Sequence, residues 1–123
     1  MLNPMAWVVL FDEAFATEFA AFPREAQTAL LAKARLLEHF GPQLGRPHVD
    51  TLKDSKHGNM KELRFDAANG AWRAAFAFDT ARQAIILVAG DKSGGSQKQF
   101  YRTLIAMADR RFDEHLEQLK KGG

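Results

Sequence analysis

The sequence contains no cysteine among its 123 residues. Without thiols the chain cannot build a disulfide scaffold or a zinc ribbon, and a reducing, cytoplasmic setting is the expectation. Long hydrophobic runs are missing as well. The two longest, 5–11 and 84–90, have seven residues each, whereas a membrane span needs roughly 20. No positive charge precedes the first run and no small-residue cleavage site follows it, so no signal peptide is expected.

Metal-binding and nucleotide-binding motifs are also missing. No two of the four histidines stand three or four residues apart, as the ligands of a helical metal site do, and we therefore expect no metal. In the stretch 90–96, Lys92 precedes Gly94 and Gly95 instead of following them, which excludes a P-loop. A Gly-x-Ser-x-Gly elbow and a dinucleotide-binding fingerprint are absent too. No cofactor is expected.

The net charge is small but unevenly distributed. It is +2 for the whole chain, made up of −2 over residues 1–45, +4 over 46–102 and zero over 103–123. A basic middle third permits a polyanionic partner such as a nucleic acid. Ordinary solvated lysines on loops are the simpler alternative.

Hydrophobic periodicity predicts one α+β domain over residues 1–123, with the element order β-α-α-β-β-β-α. The apolar residues 6–11 predict a first strand, and Asp12 is the expected N-cap of the helix that follows. Pro23 then opens a second helix, predicted over 24–40. These two helices form an α-hairpin.

The rest of the chain predicts a sheet. Residues 41–59 sustain no period, which indicates a long loop. Strands are predicted over 60–66 and 71–79, because Asn69-Gly70 between them supplies the positive φ of a tight turn. The wholly apolar run 84–90 predicts a third strand, covered on both faces. We expect these three strands to be antiparallel and packed against the helices.

A capping box, Ser96 with Gln99, opens the last predicted helix. Apolar residues recur along it at steps of three and four from Tyr101 to Leu119, which lays one stripe against the sheet. Tyr101 lies in the first turn, so we expect its hydroxyl to emerge beside Lys92.

Strand alternation divides the side chains of the second hairpin strand between two faces. One face is assigned to the core: Trp72, Ala74, Phe76 and Phe78. The other carries Arg73 with Ala75 and Ala77. This surface is too small and too apolar for an ordinary solvated face, so we expect something flat or concave to fit over it. A guanidinium held there can receive a phosphate bidentately. A salt bridge from Arg73 to Glu62 or Asp79 is the alternative.

Other cations are expected around the same cleft. Arg64 shares a strand face with Met60 and Glu62 by alternation, and Lys92 follows the third strand where the chain leaves the sheet. The long loop and the first hairpin strand supply further candidate phosphate contacts: Arg46, Lys53, Lys56 and Lys61. Each of these alone is typical of an ordinary surface charge.

Two residues are candidate proton-transfer groups. His57 lies in a flexible, basic context next to the hairpin and titrates near neutral pH, as a general acid or base must. Tyr101 is the second candidate, although its place on the apolar stripe also suits a core role. His48, in the same loop as His57, is expected to be an exposed loop residue.

The ordered series of these segments resembles the RelE and HigB toxins of bacterial type II toxin–antitoxin modules, in particular the phage-associated HigB-like branch. The resemblance covers nearly the whole chain. It is carried by Lys61-Glu62-Leu63-Arg64-Phe65, Gly70-Ala71-Trp72-Arg73-Ala74-Ala75-Phe76, 84–92 and Phe100-Tyr101-Arg102.

The resemblance implies a small α+β domain whose sheet binds mRNA, commonly on the ribosome, and cleaves it without metal. It also implies a cognate antitoxin, of helix-turn-helix type. On matching positions Arg73 is similar to the family's cleft arginine and Arg64 to its neighbour in a Leu-Arg pair. Lys92 is similar to the basic residue after the last strand, and Tyr101 to the aromatic that opens the final helix. Two lysines of the RelE branch fall on Met60 and Glu62, so His57, Lys61 and Tyr101 remain as alternatives for the base.

Two other functions are compatible with the same fold. A ParE-like relative would inhibit DNA gyrase by binding and would cut nothing. A non-catalytic binding module that has lost its base is the second alternative, which Glu62 at a lysine position favours.

Overall fold

The computed structural model describes residues 6–122. The elements follow in the order β1 (Val8–Phe11), α1 (Glu13–Ala20), α2 (Arg24–Phe40), β2 (Val49–Thr51), β3 (Lys61–Ala67), β4 (Gly70–Phe78), β5 (Gln83–Asp91) and α3 (Gln97–Gly122). The predicted order is confirmed, with two additions. The predicted loop 41–59 contains a 3₁₀ turn, Gly41–Gln43, and the short strand β2.

The five strands form one sheet in the order β1-β5-β4-β3-β2. The strands β2 to β5 pair antiparallel, as predicted for the hairpin and the third strand. β1 runs parallel to β5, so the sheet is mixed. No tight turn joins β1 to β5, so nothing in the sequence indicated the direction of β1 relative to β5. β5 lies between β1 and β4, which explains its uninterrupted apolar run.

Helices cover both faces of the sheet. α1 and α2 pack on the face that carries Trp72 and Phe76, and α3 packs on the other. The face that carries Ala75 and Ala77 is covered, as expected for so small and apolar a surface: both residues are 0% exposed beneath α3. Their small side chains let the helix approach the sheet closely, so the object that fits this face is the protein's own C-terminal helix.

Two predicted helix caps are present. The carboxylate of Asp12 accepts a hydrogen bond from the Phe15 backbone N–H at 3.2 Å. The Ser96 hydroxyl accepts one from the Gln99 N–H at 3.2 Å. The Gln99 side chain donates to Thr103 instead of turning back, so only half of the predicted capping box forms.

A buried arginine fixes α3 to the rest of the fold. Arg111 is 6% exposed and donates to both carboxylate oxygens of Glu18, at 2.9 and 2.6 Å, and to the Leu87 carbonyl at 2.8 Å. The hydrogen bond from Arg111 lowers the pKa of Glu18 despite partial burial. This contact joins α3 to α1 and β5.

A second polar contact holds α3 at the turn between β4 and β5. The wholly buried Asp79 carboxylate lies 2.7 Å from His115 Nε2 and also accepts from the Gln83 side chain. Burial alone would raise the pKa of Asp79. Hydrogen bonds from His115, Gln83 and the Ala81 N–H outweigh that effect and lower it.

The Asp79 contact predicts an acid-sensitive contribution to stability. Folding lowers the pKa of Asp79 below its value in the unfolded chain, about 3.9. The contribution of this carboxylate to the free energy of unfolding is therefore complete above that unfolded pKa, and it is lost as the pH falls through the folded pKa. Asp79→Asn should lower the free energy of unfolding by about 1–3 kcal/mol at pH 7. The difference in free energy of unfolding between the parent and Asp79→Asn, measured by urea titration, should shrink towards pH 3. The exposed Asp54→Asn is the control, and a deficit independent of pH would contradict the assignment.

Candidate functional site

A cleft of about 870 Å³ opens between β3, the segment 51–54 and the first half of α3. Thirteen residues line it: Thr51, Leu52, Lys53, Asp54, Glu62, Arg64, Gln97, Lys98, Tyr101, Arg102, Ile105, Ala106 and Asp109. Of the cations predicted to gather around one cleft, Lys53 and Arg64 line it. Two more contact lining residues: Lys92 contacts Gln97, and Arg73 pairs with Glu62.

A buried carboxylate lies in the wall of the cleft. Glu62 is 3% exposed and accepts hydrogen bonds from Arg64 Nε at 3.0 Å and from the Tyr101 hydroxyl at 2.8 Å. Arg73 Nε lies 3.8 Å from the same oxygen that Tyr101 contacts. Glu62 and Asp79 were the two alternative salt-bridge partners predicted for Arg73. The structure pairs Arg73 with Glu62, because Asp79 contacts His115 instead.

Strand pairing and alternation bring this cluster together. Arg64 and Arg73 are directly opposite each other on β3 and β4, and Glu62 is two residues from Arg64 on the same face. Glu62 and Arg64 therefore share a face, as predicted. α3 crosses that face with Tyr101 in its second turn. We refer to Glu62, Arg64, Arg73 and Tyr101 as the Glu62 cluster.

Arg73 is held in place by its contacts, but not all of its N–H donors have a hydrogen-bond partner. Its side chain is 14% exposed and donates from Nη1 to the Trp72 carbonyl at 2.8 Å. Its Nε–H is buried and has no hydrogen-bond partner among the described residues. A buried donor of this kind gains free energy from an added acceptor oxygen.

Tyr101 is a proton donor at neutral pH. Burial raises the pKa of its hydroxyl, and the Glu62 carboxylate raises it further, while Arg73 acts in the opposite direction. The phenol is therefore protonated and donates to Glu62. On its own it cannot serve as a base near pH 7.

Several cations around the cleft are not neutralised. Lys53, Lys98 and Arg102 line it without a carboxylate within 4 Å in the part of the chain that the structure describes. Lys92 Nζ contacts Gln97 at 3.2 Å, and Gln97 lines the cleft. Lys98 and Arg102 are not among the site residues predicted from the sequence. Their spacing of one helical turn, on either side of Tyr101, was the available signal.

His57 and Lys56 lie elsewhere. His57 Nε2 is 2.8 Å from the Asp113 carboxylate, which Lys56 also contacts. Hydrogen bonding to Lys56 lowers the pKa of Asp113, and His57 contributes in the same direction. Asp113 lies 12 residues beyond Tyr101 on α3, about 18 Å along the helix axis. The structure does not bring His57 to the Glu62 cluster.

The two remaining candidates lie at the margin. Arg46 is 77% exposed and contacts Asp50 at 3.2 Å, and Asp50 in turn contacts Arg64 at 3.1 Å. Lys61 alternates with Glu62 on β3, so it belongs to the opposite sheet face. Arg46 therefore adjoins the cleft through Asp50, and Lys61 faces away from the Glu62 cluster.

Two properties of the described residues 6–122 bear on other functions. No group of three or more His, Cys, Asp or Glu side chains is placed to hold a metal ion. None of the helices in this range is long and apolar enough to cross a membrane.

Comparison with known proteins identifies one family and two relatives that are named as toxins. The family model "Phage derived protein Gp49-like (DUF891)" matches residues 17–113. HigB3 of Mycobacterium tuberculosis, named as a toxin, is 46% identical over 105 residues, which cover 85% of this chain and 90% of HigB3. HigB2 of the same organism, also named as a toxin, is 47% identical over 98 residues. These cover 79% of this chain but only 48% of HigB2.

The fold has a relative among solved structures. A mutant of the E. coli toxin RelE in the free state superposes with a TM-score of 0.59 at 11% sequence identity, covering 82% of this chain and 95% of that one. At this identity the likeness concerns the fold alone. Together with the family match, it confirms the predicted resemblance: the chain belongs to the phage-derived Gp49-like family and is a RelE/HigB-like protein.

Proposed function

We propose that this chain is the toxin of a toxin–antitoxin module and cleaves mRNA at the Glu62 cluster without a metal ion. The observation that carries the proposal is one cleft lined by uncompensated cations, the buried Glu62 carboxylate, Arg64 and Tyr101, with Arg73 paired to that carboxylate in the wall behind it. Cations bind the RNA backbone. The buried cluster supplies groups for proton transfer and charge stabilisation.

RNA carries its own nucleophile, the 2′-hydroxyl. Its oxygen forms a bond to the adjacent phosphorus while the bond from phosphorus to the 5′-oxygen breaks. One proton leaves the 2′-hydroxyl and another joins the departing 5′-oxygen. The products are a 2′,3′-cyclic phosphate and a 5′-hydroxyl, and the reaction needs a base, an acid and cations at the phosphorane.

Arg73 and Arg64 are suited to stabilise the phosphorane. The Arg73 Nε–H is a fixed donor with no hydrogen-bond partner among residues 6–122. A preorganised donor that gains its acceptor in the transition state lowers the barrier most. Arg64 is anchored by Glu62 and Asp50, and this fixes its orientation beside Arg73.

Proton transfer is assigned to Tyr101 with Glu62. The raised pKa of Tyr101 keeps its hydroxyl protonated, so it accepts the 2′-hydroxyl proton only as its own proton passes to Glu62. Their contact of 2.8 Å permits this relay. Lys92 and Lys98, at the N-terminal end of α3, are ammonium donors available to the leaving 5′-oxygen. His57 and Lys61 are not needed as bases.

The partners follow from this function. The substrate is mRNA bound to the ribosome, and cleavage there inhibits translation. A cognate antitoxin, of the helix-turn-helix type that the sequence resemblance implies, silences the toxin. Gyrase inhibition and RNA binding without cleavage are the competing functions. Neither produces new transcript 5′ ends after induction, and only gyrase inhibition alters DNA supercoiling.

Loss of Arg73 should abolish toxicity while leaving the protein folded. Because it removes a preorganised charge from the phosphorane, Arg73→Ala should reduce the cleavage rate about a hundredfold or more. Arg35→Ala, an exposed arginine on α2, is the matched control and should remain toxic. New transcript 5′ ends, mapped after induction, should appear with the parent and Arg35→Ala only.

Circular dichroism and thermal unfolding check that Arg73→Ala is folded, and Arg73→Lys restores the charge without the guanidinium. A folded Arg73→Ala that still produces new 5′ ends would contradict the assignment of Arg73. Growth arrest by the parent without new 5′ ends would point to gyrase inhibition, which a supercoiling assay detects. No growth arrest and no cleavage, with RNA binding retained, would indicate a binding module.

The unneutralised lysine and arginine on α3 should control RNA affinity in a salt-dependent way. Lys98→Ala combined with Arg102→Ala should weaken binding of an uncleavable, 2′-O-methylated RNA about equally for different sequences. The slope of log K against log salt concentration should fall by about 0.7 for each phosphate that the variant no longer neutralises. Arg110→Ala, exposed on the same helix, is the control. An unchanged slope in the double variant would remove these residues from the RNA path.

A further inference from the structure

A second groove, of about 430 Å³, adjoins the cleft on the side of α2. Its walls are Ala29, Ala32, Lys33, Pro47, Arg64, Phe65, Asp66 and Arg73. Arg64 lines both the groove and the cleft. The cleft and the groove therefore meet at Arg64.

Lys33 is held in an unusual way in this groove. Its ammonium lies 2.8 Å from His48 Nδ1 and has no carboxylate within 4 Å among residues 6–122. An ammonium has three N–H donors and no acceptor. His48 accepts one of them, and the others are available to a ligand.

His48 is placed by the sheet. Its carbonyl accepts a hydrogen bond from the Arg64 N–H at 2.8 Å, so the residue is fixed against β3. Because Lys33 can only donate, we assign His48 Nδ1 as the acceptor, which leaves the proton on Nε2. His48 is half-buried and not an exposed loop residue as expected.

The balance of charge favours an anion. Lys33, Arg64 and Arg73 bring three positive charges, and Asp66 is the one acidic side chain among the described residues of the wall. Glu62 offsets both arginines, and Asp50 also contacts Arg64, whereas Lys33 is not offset by any carboxylate within 4 Å among residues 6–122. The small side chains of Ala29 and Ala32 leave space along α2 for a ribose-phosphate backbone.

We propose that Lys33, positioned by His48, forms a second phosphate-binding subsite for single-stranded RNA, next to the phosphate bound in the cleft. This proposal rests on the proposed function, because the cleft defines where the RNA begins. Its ligand is a phosphodiester flanking the cleaved one. Lys33 and His48 touch no reacting atom, so their contribution is to affinity and register.

The test compares RNA of two lengths. A 2′-O-methylated octamer can occupy both cleft and groove, whereas a 2′-O-methylated dinucleotide, with one phosphate, occupies the cleft alone. Lys33→Ala should raise the Kd of the octamer about fivefold to tenfold and lower its salt slope by about 0.7, with no change for the dinucleotide. Lys33→Arg should restore octamer binding. Arg35→Ala removes a charge from the other side of the same helix and should change neither Kd.

The outcomes separate the two proposals. Octamer binding that depends on Lys33 supports the subsite even if no cleavage is found. Cleavage by the parent with an octamer Kd and salt slope unchanged in Lys33→Ala would overturn the subsite and leave the nuclease standing. A parent protein that binds no octamer would overturn the subsite outright. Equal weakening of dinucleotide and octamer by Lys33→Ala would also overturn it, since Lys33 would then act in the cleft.

Discussion

The buried carboxylate of Glu62 is the constraint on which the site depends. An ionised carboxylate taken out of water costs several kcal/mol unless charged and hydrogen-bonded partners surround it. Glu62 obtains these partners from three elements: Arg64 on its own strand, Arg73 on β4 and Tyr101 on α3. β3, β4 and α3 must therefore be correctly docked before the charge is satisfied, and the same docking builds the proposed catalytic cluster.

The position of α3 follows from small residues and two buried polar contacts. Ala75 and Ala77 let the helix lie close to the sheet. Arg111 joins it to Glu18, and His115 joins it to Asp79. These contacts fix the C-terminal part of the helix, so its N-terminal part projects beyond the alanines over Glu62. Tyr101, Lys98 and Arg102 consequently face the cleft.

Local patterns in the sequence were enough to predict the element order, the caps and the shared face of Glu62 and Arg64. The pairing of His57 with Asp113, and of Lys33 with His48, was not predictable, because residues far apart in the chain meet only once helices dock. What covers the alanine face was not predictable for a related reason. A surface of small residues fits a ligand or a helix equally well, and alternation alone does not distinguish them. β2 is too short to leave a periodic signal.

The central claim is that Glu62 takes part in the chemistry through its charge. The most direct test is single-turnover cleavage of ribosome-bound mRNA by Glu62→Gln, which keeps the shape and an acceptor for Tyr101 but removes the negative charge and the proton acceptor. We expect a folded protein whose cleavage rate falls about a hundredfold or more. A folded Glu62→Gln that cleaves within about threefold of the parent rate would contradict a role for the Glu62 charge, because general acid–base catalysis contributes far more than threefold.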